Sequence, residues 1–249
     1  MIAQLPTELF LYVGKYLSIT DFSNLLVTCG IVYGKAKTAL PFLYQQEQLV
    51  YHLVNGNLDQ FSKILNKIQD SDIIQEILCL AATIGQIDII NLIESSNPVD
   101  YESIFLLACE SNQLALVQHL QDKVESVVEG INICIINGYL DIFITITTTK
   151  NVDLSFDDNL FIRTACLYGY PELVAFLLND ERVDPAAIQN ESLKNACKYG
   201  YLEIVKLLVQ DERVDPLVEN NTALQLATLN NHQDIVDYLV DVTKTFTGV

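Results

Sequence analysis

The chain has 249 residues, half of them hydrophobic, with no Trp, which is enough apolar material for one large domain or a small one joined to a larger. Its net charge of -18 is uneven: residues 1–45 carry +1 and the remainder -19, so a nucleic-acid backbone is repelled and a basic protein surface attracted, while the same charge keeps an apolar-rich chain soluble. No apolar run reaches the length of a membrane span, the N-terminus lacks the basic start of a secretory signal, and the C-terminus lacks a prenylation Cys, so a cytoplasmic setting is expected.

In chain order, the first predicted elements are short helices within residues 1–44. Leu5-Pro6 opens the first, since Pro is tolerated in an initial helical turn. Leu9, Val13 and Leu17 share one stripe of it. Ser18 and Thr20 can cap a second helix near Asp21, where an acidic side chain suits the helix dipole. Phe22, Leu25 and Leu26 continue the apolar face, and Cys29-Gly30 ends it. A third helical piece runs through Ile31 to Leu40, before Pro41.

The register Leu5, Pro6, Glu8, Leu9, Val13, Tyr16, Leu17, Asp21, Phe22, Leu25 and Cys29 resembles the F-box. Thr28 departs from that family's apolar residue, no Arg or Trp follows Cys29, and Gly14 sits inside the first helix at a cost of about 1 kcal/mol against Ala. The resemblance implies a three-helix module over residues 1–44. It would dock through Leu5, Pro6, Leu9, Val13, Leu17, Asp21, Phe22 and Leu25 on a Skp1-type adaptor and through it on a cullin. Without the resemblance, the same helices read as a cap closing the end of the array that follows.

From residue 45 onward the sequence repeats. Segments beginning at Gly56, Gly85, Asn112, Gly138, Gly169, Gly200 and Asn231 align, with spacings of 29, 27, 26, 31, 31 and 31 residues. The spacing is regular from Gly138 and ragged before Asn112. In the unit 190–216, Leu193, Ala196 and Cys197 belong to a first helix. Gly200 suits a left-handed helix end, and Leu202, Val205, Leu208 and Val209 form the stripe of a second helix. Asp211–Pro216 closes the unit as a polar turn. The small residue recurring at 165, 196 and 227 marks close helix approach. One segment conflicts: Ile142–Thr149 is β-branched and alternating, which favours a strand, yet its register places it in a second helix and predicts a soft spot.

LKNACKYGYLEIVKLL (193–208) and TALQLATLNNHQDIVDYL (222–239) are similar to the ankyrin repeat. The expected fold is therefore all-α: an F-box-like module over 1–44, then an ankyrin solenoid of about seven units over 45–249. The resemblance implies a protein-binding adaptor and not an enzyme, with a target protein held on the concave face of first helices and turns. Arg163, Tyr168, Lys194, Lys198 and Tyr199 are the candidate contacts, since large, rigid side chains carry most interface energy. Tyr139, Tyr170 and Tyr201 repeat every 31 residues where the family carries His, and are expected to pack between repeats. Arg182 and Arg213 are expected to pair with Asp184 and Asp215.

The two resemblances together imply the substrate-recognition subunit of a cullin-type ubiquitin ligase, in an organism or pathogen that uses the eukaryotic ubiquitin machinery. An effector of that kind would act in the host cytoplasm. The alternative is an ankyrin scaffold or decoy with a helical N-terminal cap and no ligase link. No phosphate loop, HExxH or EF-hand pattern occurs, and neither metal nor cofactor is expected. The six Cys stand at least 25 residues apart and the three His are scattered, without zinc-ligand spacing. Cys109, Cys134, Cys166 and Cys197 fall at or beside the small-residue position, as packing residues do.

Overall fold

Apolar residues at helical spacing on either side of each Gly or Asn turn leave the backbone little choice but an antiparallel helix pair. The computed structural model describes residues 52–53, 57–68 and 71–247, so the module expected at 1–44 lies outside the described residues. Among them all regular elements are helices, thirteen in number. These are α1 (Leu58–Leu65), α2 (Ser71–Thr83), α3 (Ile87–Glu94), α4 (Tyr101–Glu110), α5 (Leu114–Leu120), α6 (Val128–Asn137), α7 (Leu140–Thr149), α8 (Phe156–Tyr168), α9 (Pro171–Leu178), α10 (Ala187–Tyr199), α11 (Leu202–Val209), α12 (Val218–Leu229) and α13 (Gln233–Thr247). Even-numbered helices are first helices and odd-numbered ones second helices. Seven second helices are thus present, in agreement with the seven segments read from the sequence.

One turn geometry closes every described pair. Gly85, Asn112, Gly138, Gly169, Gly200 and Asn231 all have φ between 56° and 85°. They are the residues on which the aligned segments begin. In each turn the next residue's N–H reaches back five positions, as in a Schellman helix end. Gln86 donates to the Ala81 carbonyl, Gln113 to Ala108, Tyr139 to Cys134, Tyr170 to Ala165, Tyr201 to Ala196 and His232 to Ala227, at 2.8–3.3 Å. The six accepting residues are the recurrent small ones, and all are wholly buried. Two sequence signals that looked separate belong to one helix end: the turn residue aims the next N–H back at the carbonyl of the small residue.

The described residues form two compact units divided between Glu125 and Ser126. In unit 1, α2 packs on α4 and α1 on α3. Its core includes Phe61, Ile77, Leu78, Ile89, Ile90, Phe105 and Leu116. Here α4 starts conventionally: the Asp100 carboxylate accepts the Ser103 N–H at 3.3 Å and the Ser103 hydroxyl at 2.7 Å. In unit 2, α6, α8, α10 and α12 pack successively, and α9, α11 and α13 do the same behind them.

Two first helices of unit 2, α8 and α10, begin differently. Asp157, Asp158 and Asn159 are left-handed at φ 49–62°, and so are Ile188, Gln189 and Asn190 at φ 49–60°. Such residues cost about 1–2 kcal/mol each without Gly, so something must hold them. The Asn at the end of each run does so. Asn159 Oδ1 accepts the Asp184 N–H at 2.7 Å, and Asn190 Nδ2 donates to the Asp215 carbonyl at 2.6 Å. Both Asn are buried. Each bond ties the left-handed turn that opens a first helix to the polar turn that precedes the next first helix.

The strand-like segment 142–149 is helical, within α7. Phe143 decides this. Its ring is wholly buried and meets Phe161 edge-on at 6.3 Å and Phe176 at 5.8 Å. The hydroxyls of Thr147 and Thr148 turn back to the carbonyls of Phe143 and Ile144, at 2.8 and 2.6 Å. That satisfies them inside a helix.

The polar turns correct one expectation. Arg182 pairs with Asp180 and Arg213 with Asp211, each at 2.6 Å, and not with Asp184 and Asp215. Asp184 and Asp215 are already engaged, accepting the N–H groups of Ala186 and Leu217 at 2.9 Å. Asp180 and Asp211 accept both the backbone N–H and the guanidinium of the Arg two residues on. Arg213 reaches further, donating to the Val183 carbonyl in the preceding turn at 2.6 Å.

Candidate protein-binding surface

The turns between first and second helices present a continuous edge in unit 2, built from the ladder side chain outward. The residue after each left-handed turn residue lies against the turn of the preceding repeat. A Cβ placed on Gly169 would lie 2.5 Å from the Tyr201 ring, and one on Gly200 2.6 Å from the His232 ring. Gly138 meets the Tyr170 ring in the same way. Tyr170 donates its hydroxyl to the Ile136 carbonyl at 3.1 Å, and His232 Nε2 lies 3.1 Å from the Lys198 carbonyl, where its protonated tautomer donates. Both acceptors are last-turn carbonyls that a helix end leaves without a partner. The expected inter-repeat packing of Tyr170 and Tyr201 is therefore present, and Tyr170 and His232 also cap the preceding first helix.

Outside this ladder stands a row of exposed apolar side chains. Ile136 is 40% exposed, Tyr168 43%, Tyr199 45% and Leu229 76%, one from the end of each first helix in unit 2. Single exposed apolar residues are ordinary; one within the last two positions before the turn in each of four successive repeats is a recurring feature. The Tyr199 ring stacks on Tyr201 at 6.3 Å, joining the row to the ladder. Beside the row run Asp141, Glu172, Glu203 and Asp234, each exposed and each in the first turn of its second helix. That position favours carboxylates through the helix dipole as well.

The five expected contact residues separate on inspection. Tyr168 and Tyr199 lie in the exposed row. Lys198 is beside them, with Nζ 5.1 Å from the Tyr199 ring centroid, a cation–π contact. Arg163 is instead held inside the fold, its side chain only 15% exposed. It bonds Glu191 at 2.6 Å and the carbonyls of Asp157 and Asp158 at 3.0 Å, bracing the left-handed turn. Lys194 occupies the same register one repeat later and is half-buried. The expected adaptor contacts, Leu5 to Leu25, lie outside the described residues. Sequence reasoning missed Ile136 and Leu229 because they sit one position before the register of Tyr168 and Tyr199. A search allowing that shift finds them.

Chemistry elsewhere is muted. Cys109, Cys134, Cys166 and Cys197 are wholly buried. Burial pushes the Cys166 thiol up and the Cys197 thiol to about 12, which keeps both protonated and unreactive. An open depression lined by Leu154, Phe176, Asn179, Asp180, Glu181 and Arg182 has charged walls that already pair with each other. No described helix is long and apolar enough to cross a membrane.

Against known proteins, the family model described as "Ankyrin repeats (3 copies)" matches residues 162–247, from α8 to α13. That family is in general a non-catalytic, protein-binding scaffold. No curated protein matches the chain.

Proposed function

We propose that the chain is the substrate-recognition subunit of an SCF-type E3 ubiquitin ligase. Residues 1–44 dock as an F-box on a Skp1-type adaptor, and through it a cullin, while the ankyrin repeats hold the target protein. The observation that carries the ligase link is the register of Leu5, Pro6, Leu9, Val13, Leu17, Asp21, Phe22 and Leu25 directly ahead of a repeat array. The array's part rests on the ankyrin match and on the exposed row around Tyr168 and Tyr199, with Lys198 over the Tyr199 ring. Catalysis belongs to other subunits. The setting is the cytoplasm, or the host cytoplasm for an effector.

Pull-down with a Skp1-type adaptor tests this reading. The intact chain should retain the adaptor, and a Leu5→Ala/Pro6→Ala variant should lose it. An intact chain that does not bind removes the ligase role.

A second reading, a scaffold or decoy with a helical N-terminal cap and no ligase link, rests on the ankyrin match over residues 162–247 alone. Deleting residues 1–44 then lowers repeat stability and costs no specific partner.

A further inference from the structure

The partner's chemistry can be read from the edge itself, given the reading that the repeats hold a protein. We infer that the helix-turn edge of unit 2 binds a segment of the target that carries large apolar side chains interspersed with Lys or Arg. The apolar component answers Ile136, Tyr168, Tyr199 and Leu229, which water covers in the free protein.

The basic component answers the carboxylates. Asp141, Glu172, Glu203 and Asp234 stand at one register position in four successive repeats. Among the described residues Glu203 pairs with Lys206 at 2.8 Å yet remains 72% exposed, and the same Lys206 lies within electrostatic reach of Asp234. The fold also shows how a cation sits on this edge. Lys198 rests its ammonium over the Tyr199 ring. One repeat earlier the residue before Tyr168 is Leu167, so the Tyr168 ring carries no such neighbour in sequence, and Glu172 follows it across the turn. A Lys or Arg from the partner laid on Tyr168 would reproduce the Lys198–Tyr199 contact and gain a carboxylate as well. An acidic segment would meet a row of like charges.

The test uses the full chain and three labelled synthetic peptides, read by fluorescence anisotropy. One is a Leu/Lys peptide, one its Leu/Glu counterpart, and one a Ser/Lys peptide with charge but no apolar side chains. The Leu/Lys peptide should bind and the other two should bind at least roughly ten-fold more weakly, with affinity falling as salt rises. Tyr168→Ala/Leu229→Ala and Glu172→Gln/Glu203→Gln should each weaken the Leu/Lys complex about ten-fold or more. Glu181→Gln/Glu212→Gln removes equal charge from the polar turns at the far end of the second helices and should leave it unchanged.

A charge-reversed chain, Glu172→Lys/Glu203→Lys, should gain the Leu/Glu peptide, an outcome that misfolding cannot imitate. The inference is overturned if the Leu/Lys peptide does not bind, if the Leu/Glu peptide binds the native chain equally, if the far-end control weakens binding as much as the edge variants, or if charge reversal brings no exchange of preference. Such a failure leaves the adaptor pull-down untouched, because that experiment reads residues 1–44.

Discussion

Units 1 and 2 solve the same joining problem with different side chains. In unit 1 the connection from one helix turn to the last is the Gln113 amide, which donates to the Thr83 carbonyl at 2.9 Å. In unit 2 the same place is taken by the ring of Tyr170, Tyr201 or His232. The backbone is unchanged: a left-handed residue, a bond back to a buried small residue, and a cap on the preceding helix. What differs is stiffness. A Gln amide can swing aside, whereas a Tyr ring fixes the spacing between turns. The units also start their first helices differently, with the Asp100 cap in one and the left-handed runs ending at Asn159 and Asn190 in the other. The connection from α3 to α4 spans residues 95–100, and those after α9 and α11 span 179–186 and 210–217. The regular 31-residue period of unit 2 thus includes longer connections, which its neighbours hold by cross-bonds. Regularity in the sequence reflects more shared contacts per repeat.

The largest expected effect breaks unit 2 at its anchor. Phe143→Ala should lower stability by about 3–5 kcal/mol, because it empties a wholly buried site and removes both edge-on ring contacts that hold α7 helical. Denaturant melts of both chains measure it. Val117 stands at the same register in unit 1 and is also wholly buried, but Val117→Ala deletes far less volume and should cost clearly less. Equal losses would mean that α7 has no special dependence on its aromatic cluster.

The stiffness contrast is tested by the glycines. Gly169→Ala should cost about 2–4 kcal/mol, combining a left-handed backbone with a Cβ driven into the Tyr201 ring. Gly85→Ala meets only the end of the Gln113 side chain, which can move, so about 1–2 kcal/mol from the backbone should remain. Thermal melts of the two variants rank them. The reverse order would show that the ladder rings are not rigid spacers.

The helix starts offer a smaller contrast. Asn190→Ala removes a buried amide that bonds the Asp215 carbonyl and also loses a side chain that tolerates φ 60°, for about 1–3 kcal/mol. Asp100→Ala removes an exposed cap, for about 1 kcal/mol. Hydrogen exchange at the starts of α10 and α4 would localise each loss, since a local cap should loosen α4 alone, whereas Asn190 should also loosen the turn at Asp215.

Much of this architecture was legible because its signals are local. Gly or Asn at the turn and a small residue five positions before the next N–H follow from helix-end geometry, and their spacing gave all seven second helices. The helical state of Ile142–Thr149 was legible from register alone, against the residues' own preference, because Phe143 belongs to a core that the repeats define together. The left-handed runs were not legible. Asp157-Asp158-Asn159 and Ile188-Gln189-Asn190 contain no Gly, and what holds them lies 25 residues away at Asp184 and Asp215. The Arg182 and Arg213 pairings failed for a related reason. Each Arg has an Asp two residues to either side, and only the structure shows that the later one is occupied by the next backbone N–H. On the helix-turn edge of unit 2, periodicity found Tyr168 and Tyr199 and passed over the one-position shift to Ile136 and Leu229. The carboxylate row was hidden by abundance, since 32 acidic residues single out none, although Asp141, Glu172, Glu203 and Asp234 stand at one position of the aligned segments.

The smallest effect concerns the polar turns, where the Arg182 guanidinium and backbone N–H hold the Asp180 carboxyl down at about 2. An unfolded Asp titrates near 3.9, so the folded state binds fewer protons between these values. The pair's contribution is complete above about pH 4 and is lost as the pH falls through the folded value near 2. Arg182 is half exposed, so the contribution should stay within the roughly 0–1 kcal/mol of a surface pair. Asp211 is lowered by Arg213 in the same way, but Arg213 also bonds the Val183 carbonyl of the preceding turn. Asp180→Asn should therefore flatten the acid limb of the melting-temperature profile between pH 4 and 2 and leave the value at pH 7 slightly reduced. Asp211→Asn should lower stability more at pH 7, because it frees an Arg that spans two repeats. Equal effects at pH 7 would mean that the bond to Val183 adds nothing to the joining of these repeats.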